Sequence, residues 1–572
     1  MDSTGTGGES CGGDWELLLK VRKMLPAAPF SRLLCGAALS ALGLAPVPVV
    51  AEVLLPVAAV QTQGLPAPAT AAFRDALAIA AGDDAAVAGF FAERGYAPFW
   101  TAPAAAAQRT ALLGALAGAH AHGLPASRYD AAALIAAVRT ARTEGDRGRI
   151  EVTMTKALLD YARDVQTGAL VPARVVPGIV REVPVRDRRA NLDGFAAAAD
   201  PAAFLAALAP QSQEYVQLMR ARFALERAAA TGAWGSAVPH AAVEPGAPAA
   251  AVVALRDRLV AMGYLTPTAS AAYDAALQSA VARFQADHGI EANGRASATT
   301  MAEINIGPEK RLAAVLVAME RERWLNTDRG RRHIWVNLAD FTAKIIDEGR
   351  VTFQTRAVVG ATKEDKNTPE FSDKMTYMEL NPDWTVPPGI IRRDYLPKLQ
   401  ANPNALRHLQ VIDARGRVVP RSAIDFTSLS ASNFPFNLRQ APGDGNALGR
   451  VKFMFPNPHS IYLHDTPEKH LFSREVRAYS SGCVRLNDPF EFAYELLSRQ
   501  EADPKTVFHK VLDTRRQERI FLTDPVPIHL DYRTAFANPH GQMQYRRDIY
   551  GRDASIFAAL VRAGVETSAA GG

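Results

Sequence analysis

Two patterns of apolar residues divide the chain into a helical first half and a strand-rich last third. Within residues 155–165 the apolar positions recur at three-to-four spacing and form one stripe of a helix: Leu158, Leu159, Ala162 and Val165. Gly168 follows as a stop signal, and residues 220–230 predict another helix. Residues 71–235 are Ala-rich throughout, and we predict a helical domain there.

A second helical module is predicted at residues 250–310, after a linker of Ala, Pro, Gly and Val at residues 236–249. Two segments of this module place apolar residues on one helix face: Leu255, Leu259 and Met262 in the first, and Leu277, Val281 and Phe284 in the second. The spacing predicts a compact bundle of short helices.

From Arg332 onward, strand signals replace the helical spacing. Residues 333–337 and 351–359 are rich in β-branched and aromatic residues and are bounded by glycines. Helical patterns return after Cys483. Residues 311–560 therefore predict a mainly-β domain with added helices, and the chain as a whole is predicted to be a multidomain α+β protein.

One segment of the β-rich domain is a predicted lid. Residues 374–450 are rich in Pro, Asn and Arg and precede the strand that carries His464. Long loops in compact domains are usually functional, so we predict that residues 374–450 cover a site. Residues 561–572 are predicted to be a disordered tail.

Residues 1–51 have the layout of a secretory signal peptide. A basic flank precedes an apolar run that ends at Val49 and Ala51, two small residues at the positions expected before a cleavage site. Translation from Met24 is an alternative, because residues 1–19 are acidic and Gly-rich. An uncleaved membrane anchor is a second alternative, although two prolines interrupt the run. Residues 52–70 are a predicted linker, and no later segment is apolar enough to span a membrane.

Composition narrows the classes of partner. The chain of 572 residues predicts two to four domains, and 48% apolar and 22% charged residues are typical of globular proteins. A net charge of +5 argues only weakly for an anionic partner, and no nucleic-acid motif is found. There is no HExxH motif, and His470 lies six residues after His464, a spacing that does not suggest a metal site. We predict no metal, cofactor or nucleic-acid partner.

The cysteines suggest a reactive thiol. Cys11 and Cys35 lie in the predicted leader, so Cys483 is the single cysteine of the predicted mature chain. One thiol excludes an intramolecular disulfide, and a lone cysteine in an exported protein raises the expectation of reactivity.

The residues around Cys483 predict a nucleophile with a nearby base. Strand alternation places Tyr462 and His464 on one face, with Ile461 and Leu463 on the other. A thiol acts as a nucleophile only as the thiolate, so it needs a base or a field that lowers its pKa. Cys483 lies five residues before a predicted helix N-cap, beyond the useful range of the helix dipole, so we expect activation mainly from His464.

The glycine before the nucleophile predicts an oxyanion site. Gly482 permits a sharp bend of the backbone, and the amides of Gly482 and Cys483 are then expected to face a developing oxyanion. Downstream, Asp488 is the predicted N-cap of a helix that runs through Leu497.

These residues resemble the signature of the L,D-transpeptidase (YkuD-type) family: a His, a short interval, and then Ser-x-Gly-Cys-hydrophobic-Arg, here Ser480 to Arg485. Many members have His directly before the Gly-Cys pair, where this chain has Ser481, so an oxyanion role of that side chain is weakened. Further segments are similar to the large Gram-negative branch of the family: 359–360, 381–388, 439–449, 525–532 and 548–553.

The resemblance extends to the helical parts. Residues 90–100, 161–168 and 210–218 resemble the scaffold domain of that branch. Residues 284–305, with Phe284-Gln285 and Asn293-Gly294, resemble the small three-helix peptidoglycan-binding domain.

The resemblance implies acyl transfer on peptidoglycan stem peptides in the periplasm. Cys483 would form an acyl-enzyme with loss of D-alanine, His464 would be the general base, and a second stem would accept the acyl group in a 3→3 cross-link. Tyr462, Arg485 and Ser481 would contact the substrate, and Trp384 would line the acceptor side. Trp384 as core and Arg485 as a structural ion pair remain alternatives.

Other functions stay open at this stage. Water as acceptor would give an L,D-carboxypeptidase, and a lipoprotein lysine would give an anchoring enzyme. A cysteine endopeptidase would normally place Cys before His, the reverse of this order. A non-catalytic wall-binding protein would require Cys483 to be buried away from His464.

Overall fold

The computed structural model describes residues 70–566, so the predicted signal peptide and nearly all of the linker at 52–70 lie outside the described residues. Within residues 70–566 no helix is both long and apolar enough to cross a membrane.

The first part of the described chain is helical, as predicted. Its helices are α1 (Ala71–Ala81), α2 (Ala85–Glu93), α3 (Ala106–Ala117), α4 (Ala131–Thr140), α5 (Glu144–Thr167), α6 (Pro172–Val175), α7 (Arg188–Ala197), α8 (Pro201–Leu208) and α9 (Gln213–Thr231). The central helix α5 begins with a capping box at Thr143 and ends at Gly168. Its Gly148 permits close packing against α1, because a Cβ there would lie 2.4 Å from the Phe73 carbonyl oxygen.

The second module consists of α10 (Ala249–Ala261), α11 (Ala275–Asp287) and α12 (Ala298–Ile304) around a core of its own. The predicted linker at 236–249 is not free. Val238 and Val243 are buried in this core, and Val243 pairs with Ala296. The apolar residues of this short segment are better buried in the module than exposed to water.

The next helix, α13 (Pro308–Trp324), corrects the predicted boundary of the β-rich domain at 311. Its apolar residues Leu312, Val315 and Leu316 belong to the core formed by α1–α9. The helix is buried on several sides, so its sequence does not show which neighbour it packs against.

Strands dominate from residue 332. They are β1 (Arg332–Asn337), β2 (Thr342–Asp347), β3 (Arg350–Gly360), β4 (Phe371–Leu380), β5 (Trp384–Thr385), β6 (Gln410–Ile412), β7 (Asn437–Gln440), β8 (Val451–Met454), β9 (Leu463–His464), β10 (Ala478–Ser480), β11 (Val484–Leu486) and β12 (Glu518–Asp531). Most of them form one sheet, in the order β10-β3-β11-β9-β8-β4-β12-β1-β2. A further pairing of β2 with β3 closes the sheet on itself.

The lid is a folded unit, and it is shorter than predicted. Residues 374–380 belong to the central strand β4 and not to the lid. The inserted part between β4 and β8 contains β5, β6 and β7 as a separate small sheet, with α14 (Pro388–Ile390), a π-helical turn (Ile391–Tyr395) and α15 (Leu396–Ala401). It has its own apolar core, so it is a small folded unit and not a loose loop.

The end of the described chain returns to the helical domain. After α16 (Pro489–Leu497) and α17 (Pro504–Leu512), the hairpin β13 (Ala535–Ala537) and β14 (Met543–Tyr545) leads to α18 (Arg552–Arg562). Ile556, Leu560 and Val565 are buried in the core of α1–α9 and α13. The predicted tail is therefore ordered at 561–566, and 567–572 lie outside the described residues.

Candidate active site

A cleft of about 910 Å³ lies between the sheet and the lid. The sheet side contributes Tyr462, His464, Cys483 and Arg485, and the lid contributes Trp384, Arg393, Lys398 and His408. The structure thus brings the predicted nucleophile, the predicted base and the lid to one cavity.

Cys483 lies on the short loop between β10 and β11, which hydroxyl groups hold in place. The Thr368 hydroxyl donates to the Gly482 carbonyl oxygen at 2.7 Å, and the Ser480 hydroxyl donates to the Cys483 carbonyl oxygen at 2.5 Å. Gly482 has φ +130°, and a Cβ there would lie 3.1 Å from Ile461 Cδ1. Only glycine adopts this bend without strain.

The loop geometry corrects the expected oxyanion site. The Gly482 N–H donates to Ser480 Oγ at 3.1 Å, so it is not free to face an oxyanion. The Cys483 N–H makes no hydrogen bond among the residues described. Of the two predicted amide donors, that of Cys483 alone is unengaged, because the tight bend turns the preceding amide toward its own loop.

His464 is buried and held as a neutral ring. Its Nδ1–H donates to the Asp465 carbonyl oxygen at 2.5 Å, which leaves Nε2 as the unprotonated nitrogen. Burial lowers the pKa of His464, and the positive charges of Arg485, Lys452 and Lys469 lower it further, to about 3. The imidazole is therefore uncharged at neutral pH and able to accept a proton.

The Asp465 carboxylate has other partners than His464. It accepts from the Arg450 and Thr466 amides and pairs with Lys469 at 2.9 Å. The backbone carbonyl of Asp465, and not its carboxylate, orients the His464 ring.

Tyr462 lies next to the thiol. In the parallel pair β9–β11, Val484 lies beside Leu463 and its N–H donates to the Tyr462 carbonyl oxygen at 3.1 Å, so Cys483 is placed beside Tyr462. The predicted alternation is confirmed, since Ile461 and Leu463 are buried in the core of the sheet. The rings of Tyr462 and His464 are 5.6 Å apart.

The thiol of Cys483 is half-buried and needs help to ionise. Its Sγ donates to the Ser460 carbonyl oxygen at 3.6 Å. Burial raises the pKa of Cys483, while the neighbouring Tyr462 and the charges of Lys452 and Arg485 oppose that rise. At neutral pH the thiol is mostly protonated, so a base is required for nucleophilic attack.

Comparison with known proteins identifies domains within this chain. Three family models match the chain in order: a scaffold domain at 85–221, a "Putative peptidoglycan binding domain" at 248–304 and the YkuD L,D-transpeptidase catalytic domain at 331–528. Residues 331–528 therefore contain an L,D-transpeptidase catalytic domain. The three matched regions follow the predicted domain order of this family.

Two individual proteins are also similar to parts of this chain. A protein of Haemophilus influenzae named "Putative L,D-transpeptidase" is 34% identical over 230 residues, which are 40% of this chain and 46% of that protein. This chain thus spans less than half of that relative's length. A crystal structure of an L,D-transpeptidase from Xylanimonas cellulosilytica aligns with 50% of this chain and 97% of its own at 14% identity, and its TM-score of 0.15 supports no statement about the fold.

The other residues predicted for substrate contact differ in their surroundings. Arg485 forms an ion pair with Glu468, which is the structural alternative given above. It also lines the cleft, so it is accessible from the cavity as well. Trp384 is 8% exposed and packs in the lid core, yet it also lines the cleft. Ser481 is exposed beside the thiol.

The sequence did not predict several residues of this candidate site. Thr368 and Ser480 hold the loop, and Glu468 binds Arg485. Lys452 lies with its ammonium nitrogen 4.3 Å from the Tyr462 ring centroid. The alternation Val451-Lys452-Phe453-Met454 was a readable signal, since it points Lys452 away from the core. The pairing of this strand with the His464 strand was not readable from the sequence.

No cluster of three or more His, Cys, Asp or Glu side chains within residues 70–566 has the arrangement of a metal site.

Proposed function

We propose that this chain is a peptidoglycan L,D-transpeptidase that forms 3→3 cross-links through an acyl-enzyme on Cys483. One observation carries the proposal: an accessible thiol and a neutral, oriented imidazole line the same cleft under a folded lid. The family and the peptidoglycan-binding domain support peptidoglycan as the substrate.

The first half-reaction cleaves the bond between the third and fourth residues of a donor stem. His464 Nε2 takes the thiol proton as Sγ attacks the carbonyl carbon, and a C–S bond forms. The Cys483 N–H stabilises the oxyanion. The C–N bond then breaks, the imidazolium returns its proton to the leaving amine, and D-alanine departs.

The second half-reaction transfers the acyl group. The amine of a second stem attacks the thioester, loses its proton to His464, and the C–S bond breaks to regenerate the thiol. A closed lid limits access of water to the thioester, which favours the amine over hydrolysis. The peptidoglycan-binding domain raises the local concentration of acceptor stems.

Substrate contacts are assigned to the walls of the cleft. Tyr462, Ser481 and Arg485 contact the donor stem near the thiol, and Trp384 lines the acceptor side. The lid adds basic groups opposite the thiol, at Arg393 and Lys398, and these suit the carboxylates of stem peptides. We further propose that the protein is exported to the periplasm, where these stems are found.

The test is incubation with purified tetrapeptide muropeptides, followed by mass analysis. The proposal predicts dimers with a 3→3 link together with free D-alanine, and neither product with Cys483→Ala. Tripeptide and D-alanine without dimers would identify an L,D-carboxypeptidase. Products that appear only with a lysine-ended acceptor would identify an anchoring enzyme. Binding to peptidoglycan without any product would leave a wall-binding protein.

A further inference from the structure

We propose that Lys452 is a positioning residue whose charge, held on the face of the Tyr462 ring, stabilises the thiolate form of Cys483. This inference rests on the proposed function only in taking Cys483 as the nucleophile. It concerns how the thiol is activated, a task that sequence reasoning assigned mainly to His464.

Strand register places Lys452 in the site. Five residues lie directly beside one another across five adjacent strands, in the order Arg519, Glu379, Lys452, His464 and Arg485. Residues opposite one another in neighbouring strands share a face of the sheet. The base is therefore flanked by a cation on each side.

Lys452 has no ion pair among the residues described. Its neighbour in the row, Glu379, is engaged by Arg519 at 3.0 Å. The close contact of the ammonium is with the face of Tyr462, at 4.3 Å from the ring centroid. Such a contact stabilises by about 0.5–2 kcal/mol, more when water is excluded.

Tyr462 places the charge of Lys452 beside the thiol. Tyr462 and Cys483 lie next to one another, because the Val484 N–H donates to the Tyr462 carbonyl oxygen at 3.1 Å. An ammonium held on the face of the Tyr462 ring therefore favours an anion on the neighbouring sulfur. Its positive charge opposes the burial-driven rise in the pKa of Cys483.

The same row keeps His464 uncharged. Lys452 and Arg485 lie on either side of the imidazole, and both lower its pKa in addition to burial. An imidazolium is therefore an unfavourable partner for a resting thiolate. Lys452 and His464 therefore have different tasks. The positive charge of Lys452 favours the anionic form of the sulfur, and the neutral imidazole of His464 accepts and returns the proton.

Other charged and titratable groups also face the cleft. They are Tyr462, His464, Arg485 and Glu468 on the sheet side, His459 on the loop before β9, Lys366 after β3, and Arg393, Asp394, Tyr395, Lys398 and His408 on the lid. Among them, Arg485 is bound by Glu468 and Lys366 by Asp394. Lys452 lies on the face of the Tyr462 ring and has no carboxylate partner within residues 70–566.

The experiment measures the rate of alkylation of Cys483 by iodoacetamide against pH, in the full chain, with the modified peptide quantified by mass spectrometry. Lys452→Met should react about 10-fold more slowly at pH values below the thiol pKa, because one unit of pKa is a tenfold change in thiolate. Lys452→Arg keeps the charge and stacks on aromatic rings, so it should stay near the wild type. Lys510→Met, an exposed lysine on α17, is the control.

An unchanged profile in Lys452→Met would overturn the proposal, and so would an equal loss in Lys452→Met and Lys452→Arg. If Lys452→Met does not fold, Lys452→Gln tests the loss of the same charge with a polar side chain, and it should slow the reaction by a similar factor. This assay needs no peptidoglycan. Suppose that the wild type forms no cross-links but that Lys452→Met still shifts the alkylation profile. The proposed function would then be rejected, and the role of Lys452 would stand.

Discussion

At the scale of single residues, hydrogen bonds of the neighbouring residues, more than contacts of the thiol itself, hold Cys483 in place. Ser480 Oγ accepts from the Gly482 N–H and its hydroxyl donates to the Cys483 carbonyl oxygen, so one side chain fixes both ends of the bend. Thr368 secures the middle. The thiol itself has one weak contact, to Ser460, which leaves it free to react.

Gly482→Ala should destabilise the protein by about 1–3 kcal/mol, because φ +130° is strained for any residue with a Cβ. The new methyl would also press on Ile461, 3.1 Å away. Gly114→Ala is the matched control. Gly114 is exposed in α3 with nothing within 4 Å of an added Cβ, so alanine should stabilise by about 0.5–1 kcal/mol. Thermal unfolding of both variants measures the contrast, and a loss of equal size in both would refute the argument.

His464→Ala should lower turnover by about 10²–10⁴-fold, the range for losing a positioned general base. Release of D-alanine from a tetrapeptide substrate measures it. Alkylation of Cys483 at high pH should remain, because the thiolate then forms without a base. His459→Ala removes another imidazole that lines the same cleft and should have a much smaller effect. Near-normal turnover in His464→Ala would rule out the assigned role.

At the scale of elements, the lid is tied to the sheet by a small ionic cluster. Asp394 of the lid pairs with Lys366 at 3.2 Å, and Arg393 pairs with Asp365 at 2.8 Å. Both partners lie on the turn that follows β3, the strand beside the nucleophile loop. Burial alone would raise the pKa of Asp394, but Arg393 and Lys366 hold it below its usual value. The ion pairs between the lid and the sheet therefore persist at neutral pH.

Asp394→Asn should loosen the lid. Losing partly exposed ion pairs costs about 0.2–1 kcal/mol, so amide hydrogen exchange in residues 388–401 should quicken by about 1.5- to 5-fold. Asp444→Asn is the control, since it removes a lid carboxylate that is 89% exposed and pairs with Arg450 away from this cluster. Equal exchange rates in the two variants would show that the cluster does not restrain the lid.

Local sequence patterns predicted individual helices and strands. They did not predict which segments pair with one another across long distances in the sequence. Residues 155–165 were predicted as helix because one stripe repeats at helical spacing, and α5 contains them. The lid was predicted to begin at 374, but 374–380 are a central strand: this segment pairs with β12, more than a hundred residues later. Likewise Cys483 and His464 were found by their motif, whereas Lys452 depends on register between strands.

At the scale of the whole molecule, buried charges join the helical and β-rich parts. Arg533, at the end of β12, is 0% exposed and is bound by Glu322 of α13, by Glu214 of α9 at 2.9 Å and by Asp531 at 2.5 Å. Breaking such a buried cluster on one side costs about 3–5 kcal/mol. The catalytic sheet is therefore fixed to the scaffold through ionic contacts as well as through the apolar packing of α18.

This junction should make stability depend on pH through Glu214. Burial raises the pKa of Glu214. The positive charge of Arg533 opposes this rise and the negative charges of Glu322 and Asp531 add to it, so that the pKa of Glu214 is raised to about 7. An unfolded glutamate has a pKa of about 4.3, so the folded protein binds an extra proton between these values. The stabilisation is fully present below about pH 4.3 and is lost as pH rises through 7.

Glu214→Gln replaces the titrating group with a neutral one of similar shape, so it should flatten this dependence. At pH 8 the variant should melt roughly 2–4 °C above the wild type, and at pH 5 the difference should be about a third as large. Some slope should remain in the variant, because burial also raises the pKa of Asp553 to about 6. Glu226→Gln, on the same helix and paired with Arg222, is the control and should shift both pH values alike. Melting curves across pH 5–8 decide the matter: a constant offset between Glu214→Gln and the wild type would mean that Glu214 keeps its charge in the folded protein throughout this range.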